Sequence, residues 1–163
     1  MSRNIVLYIA ASLDGYIAKN NGSVEWLGGH GDDPNVDNGY NDFYKTIDTV
    51  VMGRTTYEQI INELSPDSWV YKNKKCYVAT RKHHRPDERV EFISDNIAAF
   101  IKNLKTQDGK DIWLIGGGKL IDEFVKHDLI DKYIITIIPT ILGEGIPLFL
   151  KNNSEIKLRL IER

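Results

Sequence analysis

The chain has 163 residues, of which 42% are apolar and 27% charged, and its formal net charge is −2. That length suits one domain, residues 1–163, with a core of its own. The near-neutral charge lacks the basic footprint of a nucleic-acid or anionic-membrane partner, and the lone cysteine, Cys76, rules out an internal disulfide and fits a reducing cytoplasm.

The first apolar run, residues 5–10, reads as a strand. It meets Ser12 and Asp14 rather than a small-residue cleavage site, so it does not read as a signal peptide. Residues 14–38 form a long polar loop rich in glycine, and a loop of that length inside a compact domain is usually functional. A weak helix is expected over 39–46 and a strand over 49–52. A helix over 54–64 places Tyr57, Ile60, Ile61 and Leu64 on one face. Strands over 75–80 and 90–93 follow, where Cys76 reads as a buried thiol. A helix over 96–105 aligns Ile97, Phe100, Ile101 and Leu104. Next come a strand over 111–115, a helix over 118–127 with Leu120, Ile121, Phe124 and Val125 on one face, and a strand over 133–139. The apolar run 133–142 contains Pro139 and is about half of what a bilayer span needs. Leu142-Gly143-Glu144-Gly145 reads as a turn. The last candidate strand, 156–161, alternates Ile156, Leu158 and Leu160 with charged residues. Such a strand needs a neighbour on each side, and a following antiparallel strand would supply one. Strands alternating with helices imply an α/β domain, a mainly parallel sheet with helices on both faces.

Three strand ends carry the chemistry. Gly116, Gly117 and Gly118 stand between a strand and an amphipathic helix. Without Cβ atoms a ligand can approach the backbone, and a helix start offers free N–H groups to a phosphate; a tight turn with no ligand is the plainer reading. Gly53-Arg54-Thr55-Thr56 repeats the layout, with Thr55 and Glu58 at capping-box spacing. A cation such as Arg54 opposes the dipole at a helix start, which a bound anion would explain. Thr80-Arg81-Lys82-His83-His84-Arg85 is the densest basic cluster. In open parallel sheets ligands bind at the carboxyl ends of strands, so these three ends imply a dinucleotide. The extra basic group favours the 2′-phosphate of NADP over NAD. The glycines do not make the G-x-G-x-x-G pattern, so a Rossmann domain is the weaker reading. The four histidines lack metal-ligand spacing, so no metal is expected, and His127 reads as structural at a helix end.

Taken in order, Tyr8 through Ala18, Trp26-Leu27, Met52 through Glu58, Thr80-Arg81, Ile115 through Gly118, and Pro139 through Phe149 resemble the dihydrofolate reductase-like fold. More specifically they resemble the C-terminal reductase domain of the bifunctional riboflavin-biosynthesis enzyme and its single-domain bacterial relatives. The resemblance implies a central, mostly parallel sheet of about eight strands, an antiparallel C-terminal strand and about four helices. It also implies NADP contacts: Ala10 and Ile17 beside the nicotinamide, Gly53, Arg54, Thr55 and Thr56 on phosphates, Thr80 and Arg81 on the 2′-phosphate, and Gly116, Gly117, Gly118 and Lys119 on the pyrophosphate. Residues 14–26 would form a mobile lid. The activity implied is NADPH-dependent reduction of a small heterocyclic substrate, as in 5-amino-6-(5-phosphoribosylamino)uracil reductase. Dihydrofolate reduction, or NADP binding without turnover, are the alternatives. Asp37 and Asp42 are the candidate acids. The apolar stretch 133–148 suggests a homodimer.

Overall fold

A computed structural model describes residues 3–28, 39–151 and 153–163. Its strands are β1 (Ile5–Ser12), β2 (Tyr16–Ala18), β3 (Ile47–Gly53), β4 (Lys75–Ala79), β5 (Glu91–Ile93), β6 (Asp111–Gly116), β7 (Lys132–Ile138) and β8 (Ile146–Pro147). Its helices are α1 (Tyr40–Thr46), α2 (Arg54–Gln59), α3 (Ile97–Thr106) and α4 (Gly118–Lys126). Six strands form one sheet in the order β5-β4-β3-β6-β1-β7, with every neighbouring pair parallel.

Parallel strands covered on both faces are apolar nearly throughout, and that is what β1, β3 and β6 show. Their side chains alternate between two cores. Ile5, Leu7, Val51, Ile112 and Leu114 face Ile97, Ile101 and Leu104 of α3 and Ile121 and Phe124 of α4. Val6, Val50, Met52 and Trp113 face Phe43 of α1, and Tyr57 and Ile60 on the other side. The buried strand thiol is as expected: Cys76 is 1% exposed, and burial pushes its titration up. The expected helix over 54–64 continues past α2 as a π-turn over Ile60–Leu64. α3 starts at Asn96, whose side chain accepts from the Ala99 amide at 3.1 Å. Asp131 is structural: it accepts from the Ile5 amide at 2.8 Å and from Lys105 at 2.6 Å.

Two features differ from the expectation. The antiparallel pairing forms a separate two-stranded sheet: β2, inside the long loop, pairs with β8, and a 3-10 turn follows over Glu25–Gly28. Residues 156–161 belong to no sheet. Ile156, Leu158, Leu160 and Ile161 are 47–77% exposed. Alternation prepares a segment for pairing, but only a neighbour's N–H and C=O groups make it a strand.

Candidate cofactor-binding site

All parallel strands point the same way, so β1, β3, β4 and β6 end on one rim. Register aligns Met52 with Gly116 and Gly53 with Ala79. The two glycine turns touch. A Cβ on Gly53 would stand 3.7 Å from the Gly116 oxygen and 3.7 Å from the Gly117 nitrogen. A Cβ on Gly117 would stand 3.4 Å from Thr56 Oγ1. On Gly118 it would stand 3.2 Å from the Pro147 oxygen, 3.5 Å from Ile146 Cγ2 and 4.0 Å from Ile17 Cδ1. The glycine run therefore lies between Thr56 on one side and Ile17 with β8 on the other. Gly116 has φ 132°, a value glycine tolerates, and the Gly116–Gly117 peptide is cis. Gly117 precedes α4 with no side-chain cap, so amides at the start of a nine-residue helix remain for a ligand. Lys119 is exposed in that first turn. Ala10 is half-buried near the end of β1, in register with Thr136 of β7. Ile9 Cδ1 comes within 3.8 Å of a Cβ built on Gly116.

The capping-box reading of Thr55 and Glu58 is corrected. Gly53 precedes α2 without a side-chain cap, so Thr55 is an exposed residue of the first turn. Glu58, one turn on, receives Arg54 Nη1 at 3.0 and 3.2 Å. This i,i+4 pair offsets the unfavourable cation at the helix start. Glu58 also stands 3.7 Å from His84 Nε2. Thr80 is 8% exposed and its amide donates to the Ile93 oxygen at 3.0 Å. Its hydroxyl accepts from the Lys82 amide at 3.2 Å, which shapes the turn that exposes Arg81.

The basic loop is tied to α2 from below. The Tyr57 hydroxyl donates to Asp87 at 2.5 Å, and Arg89 binds the same carboxylate at 2.8 and 2.9 Å. These donors, Arg89 foremost, hold Asp87 far below the usual carboxylate range. Burial first, then Asp87, pushes the Tyr57 phenol up to about 12.

Asp42 is exposed in the first turn of α1, beside buried Phe43, and Asp37 lies outside the described residues. Phe43 stacks on Tyr8 at 4.1 Å, and the Trp113 indole donates to the Tyr8 oxygen at 2.9 Å. His127 sits past α4 with Nδ1 2.9 Å from the Glu123 oxygen, a structural position. Among the described residues no cluster of three or more His, Cys, Asp or Glu is placed to hold a metal, and no helix is long and apolar enough to cross a membrane.

The sequence marked Asp14 and Gly145 only as parts of a loop and a turn, and Gln59 not at all, yet these residues hold the segment over the rim. Asp14 accepts from Ser12 Oγ at 2.6 Å and from the Gly143 and Leu142 amides at 2.8 and 3.1 Å. Gln59 Nε2 donates to the Gly22 oxygen at 2.8 Å. Gly145 has φ 150°, and a Cβ there would fall 2.3 Å from the Ala18 oxygen. Apart from Ser12, their partners are 37 to 129 residues away, beyond the reach of local pattern.

This sheet order, with glycine turns meeting on its carboxyl rim, defines a dihydrofolate reductase-like α/β domain. It superposes on dihydrofolate reductase from Enterococcus faecalis, solved with NADP(H), with TM-score 0.62 and 21% identity over 91% of this chain and 77% of that one. The chain belongs to the RibD C-terminal domain family, which it matches over residues 3–162. It is 49% identical to YwjB, an uncharacterised protein of Bacillus subtilis strain 168, over 98% of this chain and 90% of that protein. A solved structure from Shewanella sp. PV-4, named as a candidate riboflavin biosynthesis protein, aligns with TM-score 0.84 and 34% identity, covering 99% of this chain and 90% of that one.

Proposed function

We propose that the chain is an NADPH-dependent reductase of a small heterocyclic substrate, with 5-amino-6-(5-phosphoribosylamino)uracil as the compound to assay first. The observation that carries this reading is the meeting of the two glycine turns beside Thr56 and Ile17, so close that a Cβ on Gly53 would stand 3.7 Å from the Gly116 oxygen and the Gly117 nitrogen. A Cβ on Gly53 or Gly117 would stand between the two turns, near the Gly117 nitrogen or Thr56 Oγ1, so the bare backbone there suits the close approach of a dinucleotide. The reductase family and the NADP(H) complex of the Enterococcus faecalis protein support the choice of cofactor.

NADPH, when bound, supplies the hydride. Gly53, Arg54, Thr55, Thr56, Gly116, Gly117, Gly118 and Lys119 bind its phosphates. Thr80 and Arg81 meet the 2′-phosphate, and Ala10 and Ile17 line the nicotinamide. Residues 14–26 exclude water from the transfer. The half-buried rings of Tyr8 and Tyr40, with centroids 6.1 Å apart, pack around Trp113 with Phe43 and are the aromatic surface to test for a flat heterocycle. Asp42 and Asp37 are the acids to test as proton donors.

Fluorescence titration tests the cofactor. NADPH binds more tightly than NADH, and Arg81→Ala erases the difference, about tenfold for one charged hydrogen bond. Equal affinities in the unaltered protein overturn the assignment of Arg81. NADPH oxidation that depends on the uracil compound supports the reductase reading. Oxidation by dihydrofolate instead moves the substrate to the pterins, and no oxidation with either leaves a binding module. The chain also forms a homodimer in this reading, through the exposed apolar residues Ile137, Ile141 and Phe149, in the cytoplasm.

A further inference from the structure

The segment over the rim is fastened at both ends. At its start the Asp14 carboxylate holds the Leu142 and Gly143 amides, the Leu148 amide donates to the Gly15 oxygen at 2.9 Å, and β2 pairs with β8. Ile17 follows, beside Gly118. The far end is a tight polar turn. The Gly22 amide donates to the Lys19 oxygen at 2.8 Å and the Lys19 amide to the Ser23 oxygen at 3.0 Å. Lys19, Asn20 and Asn21 are exposed, so the turn gains little from apolar packing. A cleft of about 350 Å³ lies among Lys19, Asn20, Asn21, Leu142 and Glu144, leaving room between the turn and the 142–144 loop. Lys19 pairs with Glu25, inside the segment itself. The bond that ties the tip to the body is Gln59 Nε2 to the Gly22 oxygen, 2.8 Å long and part-buried. Gln59 is the last residue of α2, the helix that carries Arg54 and Thr56.

We propose that Gln59 is a positioning residue that latches this lid across the rim, so that its carboxamide sets how fast the cofactor enters and leaves. The proposal rests on the reading above that the rim binds NADPH. One helix then serves both tasks: its first turn faces the phosphates and its last residue fastens the lid. The Asp14 end and the β2–β8 pair act as the hinge side, and the Gly22 turn is the moving end. Among the described residues, opening at the Gly22 turn breaks this side-chain hydrogen bond and leaves the six-stranded sheet untouched.

Hydrogen exchange of residues 19–24 in the NADPH-free protein, read together with NADPH dissociation by stopped flow, tests this. Gln59→Leu removes the donor at similar volume, and Gln59→Glu sets a carboxylate against the Gly22 oxygen. Each variant should speed exchange in 19–24 roughly fivefold, the loss of one net hydrogen bond. Exchange in β1 and β6 should stay unchanged, which shows that the fold is intact. NADPH dissociation should quicken by a similar factor, and kcat should change where product release limits turnover. Unchanged exchange in 19–24 in both variants overturns the latch. Faster exchange with unaltered dissociation overturns its control of the cofactor. Failure of the unaltered protein to bind NADPH overturns the functional reading itself, and is seen without any variant.

Discussion

Gly53 is the residue where space and function separate most cleanly. Its φ is −83°, so alanine fits the backbone without strain. The added methyl would lie 3.7 Å from the Gly116 oxygen and the Gly117 nitrogen, ordinary contact distances. Gly53→Ala should therefore leave Tm within about 2 °C, since no cavity, clash or lost bond accompanies it. It should weaken NADPH binding at least tenfold, because the methyl occupies the approach to the Gly117 amide. A melt and a titration of the same sample check both halves. Asp14 is the residue whose charge matters. The Ser12 hydroxyl lowers its carboxyl below the ordinary value, partly opposed by desolvation and aided by the Gly143 and Leu142 amides. A lowered folded value means that its contribution is full above the unfolded value, about 3.9, and fades as pH falls through the folded one. NADPH dissociation should quicken only as pH falls below the ordinary carboxylate range, through the lowered folded value, and Asp14→Asn should reproduce that quickening at pH 7. Insensitivity of the Asn variant at neutral pH contradicts the role given to this carboxylate.

At the scale of elements, the lid is joined to the body by the β2–β8 pair, and Gly145 permits its close approach to Ala18. Gly145→Ala adds a Cβ 2.3 Å from the Ala18 oxygen at φ 150°, so either β2 or β8 must move. Backbone strain of this kind amounts to about 1–3 kcal/mol, a Tm loss of several degrees measurable by calorimetry. The basic loop behaves as a second unit. Tyr57→Phe removes the phenol that meets Asp87 at 2.5 Å, and a loss of about 1 kcal/mol is expected in denaturant unfolding. The major elements were legible in the sequence because their signals are local. The 3.6-residue stripe of Leu120, Ile121, Phe124 and Val125 became α4, and the run ending at Gly53 became β3. The glycine rim was legible for the same reason. The lid's strand pairing was not, because Tyr16 and Ala18 find their partners at Pro147 and Ile146. The 156–161 segment shows the converse: its alternation suits a strand, and no partner strand meets it among the described residues. Local pattern also did not name the partner that the fold gives Arg54, Glu58 four residues on.

The molecule as a whole is built on a parallel sheet whose glycine turns gather at the carboxyl ends of its strands. Ligands that bind only the folded state raise its stability by mass action, about 2.7 kcal/mol at a hundred times Kd. NADPH should accordingly raise Tm by about 5–10 °C in a chain of this size, and NADH by less. Light scattering tests the homodimer, and a monomer at high concentration contradicts it. The central claim is that the turns at Gly53, Thr80–Arg81 and Gly116–Gly118 together cradle one phosphorylated dinucleotide. The most direct measurement is a crystal structure grown with NADP. Continuous density running from the glycine turns to Arg81, with the nicotinamide beside Ala10 and Ile17, is the predicted result. A saturated crystal with that rim empty, or with the cofactor bound elsewhere, would contradict it.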